Sequence, residues 1–170
     1  PQSTEVVIVG AGIAGLSLAL GLARHGMKVT IIEAGSQPAT PSLAPDLAGW
    51  DSRVSALTPS SSTWLAEHGV WQEIERHRAG PYTDMLVWDG AGTGRTAFSA
   101  ASLEVPLLGH IVENRVTVQA LLKSVQQQAN ITVHWNDGLE SAAFAQHDAG
   151  SVKTQQGRHL TAVQLVGADG

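Results

Sequence analysis

The chain has 170 residues, 43% of them hydrophobic, which suits one domain, or one domain and part of another, with a sizeable core. Its net charge of −5 and lack of a long basic run argue against a nucleic-acid surface. The absence of cysteine excludes disulfides, thiolate metal sites and a cysteine nucleophile, and no apolar run is long enough to cross a membrane as a helix.

The first predicted strand is Glu5–Val9, too short and too soon followed by glycine to be a secretion signal. Gly10, Gly12 and Gly15 follow at the spacing G-x-G-x-x-G and open a helix expected from Ile13 to His25. Its apolar face carries Ile13, Leu16, Leu20 and Ala23, and Gly26 stops it. A second strand, Lys28–Glu33, ends on an acid. Strand, glycines, helix and acid-tipped strand fall in order within about 30 residues, the size of one βαβ unit that binds the ADP half of a dinucleotide. Gly10 permits the turn, Gly12 lets backbone approach a pyrophosphate, and Gly15 lets helix and strand pack closely. The free N–H groups and positive end of the helix face the phosphates, so Ala11, Ile13 and Ala14 join the three glycines as cofactor-binding candidates. Glu33 can accept bonds from ribose hydroxyls and disfavours a 2′-phosphate, so FAD or NAD is expected rather than NADP.

Further along, Ala34–Ser52 reads as a long polar loop with Pro38, Pro41 and Pro45. A short strand is expected at Arg53–Leu57. Thr58 and Pro59 form an N-cap and first-turn pair for a helix to about His68, and a short helix follows near Trp71–His77. Asp84–Trp88 and Arg95–Phe98 flank a glycine-rich turn and predict a hairpin. Asn114 to about Ala129 is predicted helical, with Val118, Leu121, Leu122 and Val125 as its apolar stripe. After a strand at Ile131–Trp135, the segments Leu139–His147, Ser151–Thr154 and His159–Val166 predict a β-meander. A core strand followed at once by Gly167-Ala-Asp-Gly170 suggests that the sequence continues in a longer polypeptide. A plain dehydrogenase would alternate strand and helix throughout; the meander favours the FAD-binding variant of the fold. The expected class is therefore α/β, a Rossmann-like three-layer FAD/NAD(P)-binding fold with a β-meander, C-terminally truncated.

Gly10–Gly15 with Glu33, and Asp51-Ser-Arg53-Val-Ser-Ala-Leu57, resemble the FAD-dependent aromatic hydroxylases, the class A flavoprotein monooxygenases. His68-Gly-Val-Trp71, Met85–Asp89, Leu107–Asn114 and Gly167–Gly170 narrow the resemblance to the front portion of the ubiquinone-biosynthesis hydroxylases. The resemblance implies FAD as cofactor, NAD(P)H as reductant and transfer of one oxygen atom from O2 to the ring of a polyprenylated phenol. It implies Arg53 near the flavin, Arg115 at the FAD pyrophosphate, and Asp169 as the acid of an Asp-Gly motif that helps hold FAD. Residues 1–170 would be the FAD-binding domain, with about 58–112 contributing elements toward the substrate-domain side. No side chain is assigned as catalytic and no metal ligand is expected, since the cofactor carries the hard chemistry. A chain lacking the later flavin-contacting motif is expected to be inactive by itself. A polyprenyl substrate implies a cytoplasmic protein meeting a membrane surface, without a spanning segment, and contact with other ubiquinone-biosynthesis proteins.

Read without the resemblance, Arg53 is a surface arginine, Arg115 a partner of Glu113, and Asp169 a turn former. His110 reads as a satisfied structural histidine, and most of Trp50, Trp64, Trp71, Trp88 and Trp135 as core. Two rival functions remain open: another FAD oxidoreductase of the same fold, such as a different aromatic monooxygenase or a geranylgeranyl reductase, and a non-catalytic nucleotide-binding scaffold.

Overall fold

A computed structural model describes residues 2–40, 49–144 and 149–170. Pro41 and Pro45, and the last residues of the strand expected to reach His147, lie outside the described residues. Contacts divide the chain into two units, residues 1–40 with 118–170, and residues 41–117.

The first unit is built on four parallel strands. β2 (Val6–Val9) lies between β13 (Gln164–Gly167) and β3 (Val29–Ile32), and β9 (Ile131–His134) pairs on the far side of β3. β2 and β3 read Val-Val-Ile-Val and Val-Thr-Ile-Ile, the continuous β-branched run of strands covered on both faces. On one face α1 (Ile13–Arg24) packs on β2 and β3 through Leu16, Ala19, Leu20 and Ala23. On the other, Val7 and Ile32 form a core with Val152, Leu160 and Ala162 of a second sheet. That sheet holds the predicted meander, β10 (Leu139–Ala143), β11 (Gly150–Thr154) and β12 (His159–Ala162), joined by a short N-terminal strand β1 (Gln2–Ser3) parallel to β12. Helix, parallel sheet and meander are the three expected layers.

The single strand expected over His159–Val166 is in fact two. β12 belongs to the meander and β13 to the parallel sheet, and Val163, 62% exposed, is the residue at which the chain changes sheets. α1 ends at Arg24 with Gly26 at φ +81°, and Asn130 Nδ2 donates to the carbonyls of Ala23 and Met27 just beyond it. α4 (Asn114–Val125) stops four residues before its expected end, and it buries Val116, Ala120, Leu121, Leu122 and Val125, with Val118 only half-buried.

In the second unit, β4 (Val54–Leu57), β8 (Gly109–Glu113) and β5 (Gly80–Tyr82) form an antiparallel sheet with β8 central. Neither β5 nor β8 is among the strands expected from the sequence pattern. α2 (Pro59–Glu67) begins as expected, with Thr58 accepting from the Ser61 N–H at 3.3 Å, and α3 spans Trp71–His77. β6 (Asp84–Trp88) and β7 (Arg95–Ser99) form the predicted hairpin, with register Met85↔Phe98 and Trp88↔Arg95. Among the tryptophans only Trp71 is buried; Trp50 and Trp88 are 53% and 65% exposed, which corrects the expectation of core packing for most. His110 meets the Trp71 ring edge-on at 5.0 Å, but its buried Nδ1 has no hydrogen-bond partner among the described residues, so it is not the satisfied histidine expected.

Candidate dinucleotide site

The glycine turn lies where β2 runs into α1, at the carboxyl end of the parallel sheet, the place where open α/β sheets bind ligands. Gly10 has φ +105°, and a Cβ there would lie 2.5 Å from the Ala168 carbonyl oxygen, so only glycine fits. At Gly15 a Cβ would collide with the Gly10 carbonyl oxygen and touch Ile8 Cγ2, so helix and strand touch as the spacing predicted. Gly12 differs from both. It is the exposed N-cap of α1, with no atom within 4 Å of the direction a side chain would take. No side chain caps α1, which leaves its first N–H groups, around Ile13 and exposed Ala14, to an outside acceptor.

Glu33 follows the end of β3. Its Oε2 accepts from the Ala11 N–H and its Oε1 from the Gly35 N–H, each at 2.7 Å. The Ala11 N–H is thus engaged by Glu33; Ala11 serves the turn by holding that carboxylate. Each carboxylate oxygen keeps a further lone pair for a ribose hydroxyl. Beyond β13, the Ala168 N–H donates to the Val9 carbonyl at 2.8 Å, bringing Asp169 alongside Gly10.

These groups line a cleft of about 580 Å³ bounded by Gly10, Gly12, Glu33, Asp169, Gly138 and Gln155. Gly138 and Gln155, which the sequence reading missed, come from the start of β10 and the turn after β11. Asp137, 1% exposed in its side chain, fastens that wall. It accepts from Thr154 Oγ1 at 3.0 Å, the Gln156 N–H at 2.9 Å and Arg158 Nε at 2.9 Å, while the Gln155 N–H donates to the Gly138 carbonyl at 2.9 Å. Burial alone would push the Asp137 carboxyl up, but these bonds and the Arg158 charge together hold it below its ordinary value. The signal for this wall is the Asn136-Asp137-Gly138 turn signature between two strands, to which the sequence reading assigns no role.

Arg53 and Arg115 belong to the second unit. Arg53 is exposed, and its backbone joins β4 to the start of α4 through the Asn114 N–H at 2.9 Å. Arg115 pairs with Glu113, Nη2 to Oε2 at 2.7 Å, as its reading without the resemblance expected. Among the described residues, no group of His, Cys, Asp or Glu could hold a metal ion, and no helix is long and apolar enough to cross a membrane.

The residues present fit a dinucleotide at the glycine turn: a cradle open at Gly12, free N–H groups at α1 and a carboxylate beside them. The sequence profile of the FAD binding domain family matches residues 3–170. The chain is 36% identical to 3-demethoxyubiquinol 3-hydroxylase of Escherichia coli over 99% of this chain and 42% of that protein. It is 30% identical to ubiquinone biosynthesis monooxygenase COQ6, mitochondrial, of Xenopus tropicalis, over 100% of this chain and 38% of that one. The chain thus spans about two fifths of the length of these curated relatives. Among solved structures, p-nitrophenol 4-monooxygenase PnpA of Pseudomonas putida has the same fold, with a TM-score of 0.75 at 22% identity over 100% of this chain and 42% of that one.

Proposed function

Because the chain belongs to the FAD binding domain family, we propose that it is the cofactor-holding part of an FAD-dependent hydroxylase of an aromatic ring. The observation that carries this reading is the cleft in which the glycine turn, Glu33 and Asp169 converge. In it the α1 N–H groups and the open face of Gly12 receive the FAD pyrophosphate, and Glu33 receives the adenosine ribose. Asp169 helps hold FAD from the turn after β13. Arg115, by the family resemblance, adds a guanidinium to the pyrophosphate, and Arg53 stands near the flavin. Bound FAD supplies the redox chemistry that moves electrons from NAD(P)H to O2 and one oxygen atom to the substrate. The chain's own residues bind and orient the cofactor, which is why no catalytic side chain is assigned.

The substrate we infer is a polyprenylated phenol on the route to ubiquinone, a reading supported by relatives named for ubiquinone biosynthesis. Such a substrate brings a cytoplasmic protein to a membrane surface and to other proteins of that route. Residues 58–112 contribute elements toward the substrate side, and the chain alone is inactive.

FAD titration, read by flavin absorbance and tryptophan quenching, tests the reading on this chain beside a version extended to the length of the relatives. FAD binding by the extended protein, abolished by Gly12→Val, is the expected outcome. Failure of both to bind FAD while either binds NAD would overturn it. With NAD(P)H, O2 and a prenylated phenol, the extended protein should yield a product one oxygen atom heavier, seen by mass spectrometry.

A further inference from the structure

Contacts string the lining residues of the cleft in one order. Gly12 and the first N–H groups of α1 stand at one end. Glu33 comes next, joined to that end by the bond from the Ala11 N–H at 2.7 Å. Ala34 follows Glu33 in the chain and meets Gly138, and Gly138 meets Gln155. A Cβ on Gly138 would lie 3.1 Å from Ala34 Cβ and 2.9 Å from Gln155 Oε1. A dinucleotide has its own order of phosphate, ribose and base. One with its pyrophosphate at Gly12 and its ribose at Glu33 would carry its base to Ala34, Gly138 and Gln155.

Of these three, only Gln155 has a polar side chain. It is exposed and makes no hydrogen bond among the described residues. A carboxamide sets an acceptor beside two donors. That matches an adenine edge, where the exocyclic amino group donates and a neighbouring ring nitrogen accepts. Ala34 and Gly138 add no bulk that would block a flat ring.

The turn that carries Gln155 is fixed without a ligand. Asp137 holds the residue on each side of it, through Thr154 Oγ1 at 3.0 Å and the Gln156 N–H at 2.9 Å. The Gln155 N–H itself donates to the Gly138 carbonyl at 2.9 Å. Asp137 also reaches the other way: its N–H donates to the Glu33 carbonyl at 2.8 Å, while the Asn136 N–H donates to the Gly35 carbonyl at 2.9 Å. One buried residue thus spaces the Glu33 segment from the Gln155 turn, and a wall ordered beforehand loses less freedom on binding.

We propose that Gln155 is a specificity-determining residue of the cleft, its carboxamide reading the amino edge of adenine, and that Asp137 is its positioning residue. This rests on the reading of the cleft as a dinucleotide site, and the test separates the two.

The probes are ADP and purine riboside diphosphate, which differ only in the exocyclic amino group. Each is measured as a competitor of FAD in the protein extended to the length of its relatives. The wild type should bind ADP about tenfold more tightly than the purine analogue, the worth of one hydrogen bond. Gln155→Ala, on an exposed turn, should bring the ratio close to one. Asp137→Asn should lower it too, and the double variant no further than Gln155→Ala alone. A ratio near one in the wild type, or an unchanged ratio in Gln155→Ala, overturns the base contact. Lower stability with an unchanged ratio in Asp137→Asn overturns the positioning role. Should Asp137→Asn fail to fold, Thr154→Val removes one bond to Asp137 instead, and an unchanged ratio there overturns the same role. Failure of ADP to compete with FAD in the wild type overturns the dinucleotide reading itself.

Discussion

Two glycines of the same turn do opposite jobs, and substitution should separate them. Gly10→Ala puts a Cβ at positive φ and against the Ala168 carbonyl, and should lower stability by about 1–3 kcal/mol in denaturant titration. Gly12 has ordinary extended backbone at φ −78° and open space beside it, so Gly12→Val should leave apo stability within about 1 kcal/mol of wild type. The same variant should lose FAD, because the space it fills is the space the pyrophosphate needs. Spacing alone revealed that three glycines were required. It also gives Gly12 as the one that lets backbone approach a phosphate; what it does not reveal is that Gly10 is closed in by Ala168 and Asp169, far off in the sequence. The second task of Glu33, accepting two backbone N–H groups, was hidden for the same reason. Glu113 was visible only as a neighbour of Arg115; its burial comes from Asp51 and Arg78, which no local pattern links to it.

At the scale of elements, the meander's turn carries an acid-sensitive fastening. Asp137 in the fold titrates below its ordinary value near 3.8, so the stability it contributes is complete above that value and is lost as pH falls through the lower folded one. His134 in β9 behaves differently. Burial and then the Arg158 charge hold its pKa below 6.5, against the pull of Asp137. The unfolded chain therefore takes up that proton first, and stability falls as pH drops below about 6.5 until the folded value is reached. Urea titrations across pH should show both declines, and Asp137→Asn should remove the lower one. In the second unit, β6 and β7 expose Leu86, Val87, Trp88 and Phe98 and pair only with each other among the described strands. Two-stranded hairpins are weakly stable, so their amides should exchange hydrogen much faster than those of β2 and β3. The hairpin was legible from its turn and alternation. β5 was not, because Gly80-Pro-Tyr82 has no strand signature and is held only by pairing with β8. The break at Val163 was hidden because one apolar residue between two apolar strands leaves the pattern continuous.

For the molecule as a whole, the βαβ unit and meander could be read in advance because each is local, whereas the division of the chain could not. Residues 41–117 form one unit interposed within the sequence of the other; the first boundary falls in the proline-rich stretch 34–52, but the second falls inside α4, where composition gives no sign of it. A cofactor that binds only the folded state should raise apparent stability by about 2.7 kcal/mol at a hundredfold excess over its dissociation constant. Thermal melts of the FAD-loaded and stripped protein should differ accordingly, and Gly12→Val should abolish the difference.

The pairing of β13 with β2 has a consequence for biosynthesis. Val6 pairs with Gln164, so one edge of the parallel sheet forms only after nearly all of the intervening chain has left the ribosome. Ala168 and Asp169, which complete the wall beside Gly10, emerge later than every other part of the cleft. A nascent chain that has released its glycine turn and first helix therefore has no finished pocket to fill. Until then β2 lacks its β13 neighbour and leaves one edge of the parallel sheet unpaired.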